Sequence, residues 1–404
     1  MKVLQINSVC GRGSTGRIAS DLADILKAQG HECRIAYGRD MPPESCREIA
    51  VRIGNSWDVR LHGVATRLLD AHGFASRRAT ARFLDWVRDY GPDLIHLHNI
   101  HGYYLNIELL FDCLKQLGRP VVWTLHDCWS FTGHCAHYTA AGCGGWKTGC
   151  GGACPRRQAY PKCLWKGSAA ENFRRKRATF LGVPDLTLVT PSRWLAGEVR
   201  QSFLGEYPVE VIPNGVDLEQ FRPTPGDFRK RHGLEGKRVL LGVAGVWGDS
   251  KGLPDFMELA KRLGPGDRVV LAGLDSRQMD GLPDNVLGLG RTDSVRELAE
   301  IYTMADVFVN PSVEEALGMT TVEALACGTP VLTYDRSAVP EVADSTCGIA
   351  VPPGVQNLLD ALDRVRFPAE ACRKRAEEFD KRRRFGEYLE LYKRLDAARK
   401  GGSV

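Results

Sequence analysis

Apolar and polar positions along this chain switch repeatedly between two periods. Val3-Leu4-Gln5-Ile6 is a short apolar run, Gly11 to Gly16 follows it, and Ile18, Leu22, Ile25 and Leu26 then recur at helical spacing up to Gly30. That pattern predicts a strand, a glycine turn and a helix. Further strands are predicted over 33–37, 94–98, 120–125, 186–190 and 209–212, with helices over 106–117 and 192–203. Residues 58–90 read as amphipathic helix, with Leu61, Val64, Leu68 and Leu69 on one stripe and many arginines between them. The alternation restarts at Arg238: strands over 238–244, 268–272, 306–309 and 330–333 interleave with helices over 254–263, 294–303 and 319–326. Strand–helix alternation builds a parallel sheet with helices on both faces. Two such series of similar size predict an α/β protein of two Rossmann-like domains facing across a cleft, with ligands at the carboxyl ends of the strands. The expected domains are 1–208, with a Cys-rich insertion at 128–165, and 209–380. Residues 381–404 are expected to form a helix returning to the first domain. Pro213-Asn214-Gly215 suits the hinge.

Composition changes this picture little. The 404 residues are 43% hydrophobic and 25% charged, which excludes disorder, collagen and coiled coil. No apolar run approaches 18 residues, so no membrane span is expected. The start, MKVLQINSV, reads as a buried strand and not a signal peptide, which points to the cytoplasm. Charge is uneven, +9 over residues 1–208 and −4 beyond, and a basic half invites anionic partners. Thirteen cysteines are present, six of them between Cys128 and Cys163. Cys135, Cys143, Cys150 and Cys154 lie in a glycine-rich stretch and suit a tetrahedral structural zinc. Buried unpaired thiols and disulfides are the alternatives.

Two segments can carry chemistry. Gly11 to Gly16 fits G-x-G-x-x-G between a strand and a helix, where backbone amides and the helix dipole favour a diphosphate. Taken alone it also admits a dinucleotide-dependent oxidoreductase. A Walker A loop is excluded, because Arg17-Ile18 stand where Lys-Ser/Thr is required. In the second half, Glu315 and Glu323 stand eight apart and Gly318 opens a helix after a strand. Glu315 can then point across the helix N-terminus, while Glu323 within the helix can accept two vicinal hydroxyls. Paired carboxylates beside a positive helix end suit a polyhydroxylated, phosphorylated ligand.

Glu315-Ala316-Leu317-Gly318 through Glu323-Ala324-Leu325-Ala326-Cys327-Gly328-Thr329-Pro330-Val331 resembles the E-x7-E signature of retaining GT-B glycosyltransferases of family 4. Lys251-Gly252 looks like that family's diphosphate-binding Lys-Gly, and Ile212-Pro213-Asn214-Gly215-Val216-Asp217 with Phe221 like its interdomain segment. Gly13 to Gly16 matches its N-terminal glycine loop, and His126-Asp127 its His-Asp at a strand end. The segments His98 to Tyr104 and His126 to Cys135 are similar to the exopolysaccharide and colanic-acid-type branch. One departure is Val246, where the family often carries Arg.

The resemblance implies a GT-B fold and sugar transfer from a nucleotide sugar, UDP-linked by preference, with no metal needed for catalysis. Lys251 would neutralise the leaving diphosphate, Glu315 would hold the donor sugar or its developing cation, and His126 would bind the donor sugar and locate the acceptor. Donor binding would also involve Gly13, Ser14, Gly16, Arg17, Asn214, Gly318 and Glu323. A lipid-linked or oligosaccharide acceptor is implied, with no nucleic-acid partner. Besides the oxidoreductase, a non-catalytic sugar-nucleotide-binding protein is the other alternative. The arginines of 59–90 and the basic last helix further lead to an expected peripheral attachment to an anionic membrane face.

Overall fold

The computed structural model describes residues 1–151, 153–164 and 167–401. The chain divides into two compact units, Met1–Pro213 with Phe385 onward, and Asn214–Arg384. The expected boundary at 208/209 moves to Pro213/Asn214, because the strand that begins at Val209 pairs within the first unit. Residues 402–404 of the expected last helix lie outside the described residues, as do residues 152 and 165 of the Cys-rich insertion.

Among the described residues the first unit holds seven strands: β1 (Lys2–Ile6), β2 (Glu32–Tyr37), β3 (Ala50–Arg52), β4 (Leu94–Leu97), β5 (Val121–Thr124), β6 (Leu186–Thr190) and β7 (Val209–Val211). They form one parallel sheet in the order β3-β2-β1-β4-β5-β6-β7. The second unit holds β8 (Arg238–Val243), β9 (Asp267–Ala272), β10 (Val286–Leu289), β11 (Val307–Asn310), β12 (Val331–Tyr334) and β13 (Gly348–Val351), parallel in the order β10-β9-β8-β11-β12-β13. Period two distributes the side chains: Val239 and Leu241 of β8 enter one buried cluster and Leu240 the other. Both faces of this sheet are therefore covered, as a parallel sheet requires.

Helix α1 (Gly13–Ala28) follows β1 and buries Ile18, Leu22 and Leu26. The stretch expected as continuous helix over 58–90 is two helices, α2 (Ser56–Leu69) and α3 (Arg77–Tyr90). The break falls at Asp70, whose left-handed backbone (φ 55°) ends α2. Its buried carboxylate accepts from His134 Nδ1 at 2.6 Å and from the Ser168 amide at 2.7 Å. Asn172 Nδ2 donates to its carbonyl at 2.7 Å. One aspartate thus ties a helix end to the Cys-rich segment and to the start of the helix Ala169–Phe180. Helix α2 has two unlike faces. Its buried side chains are His62 and Thr66, and Leu61, Val64, Leu68 and Leu69 face solvent.

The terminal helix Lys381–Gly401 contributes Phe385, Tyr388, Leu389, Leu391 and Tyr392 to the core of the first unit. Two of its hydroxyls carry polar order into that core. Tyr392 bonds His96 Nδ1 at 2.5 Å, and Tyr388 bonds Thr124 Oγ1 at 3.0 Å, which in turn meets His96 Nε2 at 2.8 Å. A buried polar atom stripped of its partner costs about 1–3 kcal/mol. Tyr392→Phe leaves His96 Nδ1 unpaired, so it is expected to lower the urea-unfolding free energy by that amount. An unchanged unfolding midpoint would show that the ring finds another partner.

Candidate functional site

In an open parallel sheet, ligands collect where strand order reverses, because the loops leaving the two central strands diverge there. In the second unit that point lies between β8 and β11, which pair through Leu240 with Val307 and Leu241 with Phe308. The loop after β8 carries Lys251 and the loop after β11 carries Glu315. They are brought together: Lys251 Nζ lies 2.6 Å from Glu315 Oε1 and 3.2 Å from the Glu314 carbonyl. The Val313 amide donates to the Ser250 carbonyl at 3.0 Å and joins the two loops. Gly252 explains the Lys-Gly pair. Its φ is +74°, and a Cβ there would stand 2.4 Å from Pro311 Cγ, so a larger residue would push the loops apart.

Gly318, at φ +95°, turns the chain into the helix Met319–Ala326. Asn310 steadies this turn, accepting from the Ser312 amide at 3.1 Å and donating to Thr321 Oγ1 at 2.9 Å. Glu315 is held from behind, its amide donating to Ser337 Oγ at 3.0 Å. Glu323, partly buried, receives the Tyr302 hydroxyl on Oε2 at 2.9 Å. Tyr302 was no candidate in the sequence; its 21-residue separation from Glu323 gives no local signal. Val246, in place of the family's Arg, is 81% exposed.

In the first unit the reversal lies between β1 and β4. After β1, Gly11 and Gly13 take positive φ, the Gly11 amide donates to the Gly16 carbonyl at 3.1 Å, and α1 starts at Gly13. Gly13, Ser14 and Arg17 are exposed at this helix start, and Arg17 Nε turns back to the Gly13 carbonyl at 3.3 Å. Gly16 is buried against Val9. Asn214 is buried at the first position of the second unit.

After β4 and β5 come the histidines. Gln5 Nε2 donates to the Ala19 carbonyl at 2.8 Å, which fixes Gln5 Oε1 toward His98 Nε2 at 2.9 Å. His98 must then carry its proton on Nε2 and accept on Nδ1. His126 Nε2, 3.1 Å from that Nδ1, is therefore the donor, and His126 presents Nδ1 as an acceptor. Burial lowers the His126 pKa to about 4 against the pull of Asp127, so the ring is neutral at pH 7.

Beside it, His101 Nε2 lies 2.9 Å from Asp127 Oδ2 and His101 Nδ1 3.1 Å from the Tyr160 hydroxyl. The Trp129 amide donates to Asp127 Oδ1 at 2.9 Å. Burial alone would raise the Asp127 pKa, but the charge and hydrogen bond of His101 hold it well below the carboxylate range. Asp127 was legible in the sequence only as part of the His126-Asp127 match and Tyr160 not at all, since their separations of 26 and 59 residues from His101 carry no periodic trace.

Cys150 of the insertion interacts with both Cys154 and Cys143. Cys135 and Cys154 share a hydrogen bond, and Cys150 Sγ accepts from the Gly133 amide at 3.2 Å. Among the described residues no group of three or more His, Cys, Asp or Glu is arranged to hold a metal ion.

Two sheets of this topology, each with a glycine-turned helix at its strand reversal, define the GT-B class. The family model described as Glycosyltransferase Family 4 matches residues 15–220, and that described as Glycosyl transferases group 1 matches residues 226–384. The chain belongs to the family-4 glycosyltransferases, a retaining family that draws on nucleotide-sugar donors. Similarity extends to WcaC of Escherichia coli (strain K12), a glycosyl transferase whose name places it in colanic acid biosynthesis, at 26% identity over 87% of each chain. In fold the chain is similar to sucrose-phosphate synthase of Thermosynechococcus elongatus (TM-score 0.72, 19% identity, 98% of this chain and 99% of that one). It is also similar to HepE of Anabaena in complex with UDP and glucose (TM-score 0.67, 16% identity, 97% and 99%). Family membership removes the ground for an oxidoreductase.

The histidines make stability depend on pH. Burial lowers His62 and His126 to about 4, and His72, His96 and His98 well below the usual imidazole range. Unfolded, these rings take up protons near pH 6.5. Stability rises with pH wherever the unfolded chain binds more protons, so this contribution is complete above pH 6.5 and is lost as pH falls toward 4. Each ring adds about 1 kcal/mol per pH unit below pH 6. Urea-unfolding free energy is expected to drop steeply from pH 6.5 to 5, and a flat profile would show the rings already charged in the native state.

Proposed function

We propose that this chain moves a hexosyl or N-acetylhexosaminyl group, with retention, from a UDP-sugar to a lipid-linked or other polysaccharide-precursor acceptor, working peripherally at the cytoplasmic membrane face. The observation that carries the reading is the Lys251–Glu315 ion pair at the strand reversal of the second sheet, beside the amino end of the helix Met319–Ala326. Without donor, Lys251 is held by one carboxylate. An arriving diphosphate carries more charge than that carboxylate and draws Nζ to itself, freeing Glu315 for the sugar ring. Glu323, oriented by Tyr302, takes the ribose hydroxyls.

The transfer breaks the bond from the sugar's anomeric carbon to the diphosphate and forms one to the acceptor oxygen on the same face. The acceptor proton passes to the leaving phosphate. Lys251 counts most in that step, because charge on the leaving group grows toward the transition state. Gly13, Ser14 and the amino end of α1 offer further amides to the diphosphate. His126 Nδ1, a neutral acceptor, receives a donor-sugar hydroxyl, and His101 with Asp127 orients the acceptor. HepE with UDP and glucose supports the nucleotide, and WcaC supports a polysaccharide precursor. Val246 in place of Arg supports a second reading, a chain that binds the nucleotide sugar without turnover.

Lys251→Ala is expected to lower kcat more than it raises KM; equal turnover would mean that another cation serves the leaving group. UDP release from nucleotide sugars, with or without acceptor, separates transfer from the non-catalytic reading. Glu323→Ala removes a charged acceptor worth about 1.5–3 kcal/mol per hydrogen bond, so donor affinity is expected to fall at least tenfold. In a thermal-shift series UDP-sugars should stabilise the protein more than GDP-sugars, and the reverse order would reassign the nucleotide.

A further inference from the structure

We propose that the outward face of α2 is a membrane-docking surface that beds the first unit on an anionic lipid bilayer. The inference rests on the reading of a lipid-linked acceptor and identifies the surface that would reach it. Trp57, Leu61, Val64 and Leu68 follow one another at steps of four, three and four, so they form one stripe along the helix. They are 68%, 66%, 53% and 47% exposed, and Leu69 beside them is 69% exposed. Such a run of large apolar side chains in water is out of place on a surface that meets only solvent.

Its neighbours extend it. Met41, 60% exposed, lies 3.8 Å from the Arg52 guanidinium, which also reaches Ser56 at the start of α2. Leu164, 55% exposed, donates its amide to the Arg67 carbonyl near the end of α2. Among the described residues, only Tyr160 and Val246 are exposed large hydrophobics elsewhere.

The helix does not need this face to hold its place. Its inner side is polar and fully engaged. His62 bonds Ser76 Oγ at 2.8 Å and receives the Gly73 amide at 3.1 Å, and Thr66 Oγ1 donates to the His62 carbonyl at 2.9 Å. Asn55 and Asp58 close a capping box at one end and Asp70 fixes the other. The amphipathic pattern is therefore inverted, with the polar stripe inside and the apolar stripe presented rigidly outward.

Charge selects the occupant. Arg60 stacks over Trp57 at 5.1 Å, and Arg67 is exposed near the far end. Neither has a carboxylate partner among the described residues. The one acid on the helix, Asp58, is taken by the Asn55 amide at 2.9 Å. A second copy of this face would set arginine against arginine across a two-fold axis. Anionic headgroups instead accept the guanidinium groups while Trp and Leu enter the acyl boundary. The other basic groups are less available. Arg77 pairs with Glu108, Arg394 with Glu210, and Arg399 with Asp93 and Asp396. No described helix is long and apolar enough to cross a membrane, so this attachment lies along the surface. It also adjoins the acceptor chemistry: the His62 ring on the inner side of α2 is 6.1 Å from His72 and from Tyr103, and His72 is 5.7 Å from His101.

The test uses the full chain with vesicles of phosphatidylcholine, with and without 30% phosphatidylglycerol. Co-sedimentation with the anionic vesicles is expected, together with a blue shift of tryptophan emission and quenching by brominated lipid. Trp57→Phe should remove most of that quenching, and Leu61→Gln with Leu68→Gln should weaken binding at least tenfold. Both leucines are exposed, so the variant is expected to keep its circular dichroism and its UDP release from donor. Undiminished vesicle binding by the double variant overturns the inference. So does a self-association that the double variant abolishes in the absence of any vesicle binding. Vesicle binding with bromolipid quenching sustains it even where no sugar reaches a lipid acceptor, a result that would instead overturn the reading of the acceptor.

Discussion

The reversal of strand order at the centre of each parallel sheet is the constraint on which the candidate site depends. Parallel strands must be joined by crossovers that return over one face or the other. Where the direction of winding changes, two neighbouring strands send their loops to opposite sides and leave a gap at their carboxyl ends. In the second unit that gap lies between β8 and β11, and it is why Lys251 and Glu315, 64 residues apart, come within 2.6 Å. Gly252 and Gly318 are subordinate to this geometry. Each sits at positive φ where a loop from a central strand must bend directly into a helix. Pro311 presses on the first of these turns so closely that only glycine fits.

The same reversal in the first unit is lined differently. Its His98 and His126 are neutral, held by hydrogen bonds and not by opposite charges. Gln5 sets the proton on His98, His98 sets the proton on His126, and the direction of the whole chain is decided by the Ala19 carbonyl in the core. Burying polar rings costs free energy unless each is partnered. The arrangement therefore trades acid stability for a fixed tautomer at His126. Where a charge does persist, at Asp127, it is met by His101 and by a backbone amide. A neutral acceptor next to a paired carboxylate differentiates hydroxyls by direction.

The central strands were legible in the sequence because they are buried on both faces and read as continuous apolar runs. Residues 186–190 and the helix 319–326 fall where the pattern put them. The strands that escaped are β3, β10 and β13, and all three are sheet edges. Ala50-Val51-Arg52, Val286 to Leu289 and Gly348 to Val351 are short, and two of them contain glycine. An edge strand is only half covered, so its sequence need not be apolar throughout. At the site, glycines and charged residues were visible because rare conformations and buried charges admit few residue types. Tyr302, Asp70 and Tyr160 were not, because their partners are supplied by distant segments and any hydrogen-bonding residue satisfies the local pattern.

Helix α2 shows a different limit. Its periodicity was legible in the sequence; its inward side was not. A stripe at helical spacing states that a helix has two unlike faces; which face turns inward is decided by what lies beneath it. Beneath α2 lie Ser76, the Gly73 amide and the rings of His72 and Tyr103, a polar and aromatic floor that takes His62 and Thr66. Leucine there would leave the Gly73 amide unpaired. The floor is part of the same aromatic group that reaches His101, so the polarity that serves the candidate acceptor site also forces the apolar stripe outward. On this account the exposed face of α2 and the histidine-lined pocket follow from one requirement: the pocket fixes the inner face of the helix, and the sequence of the outer face is left to whatever surface the protein meets.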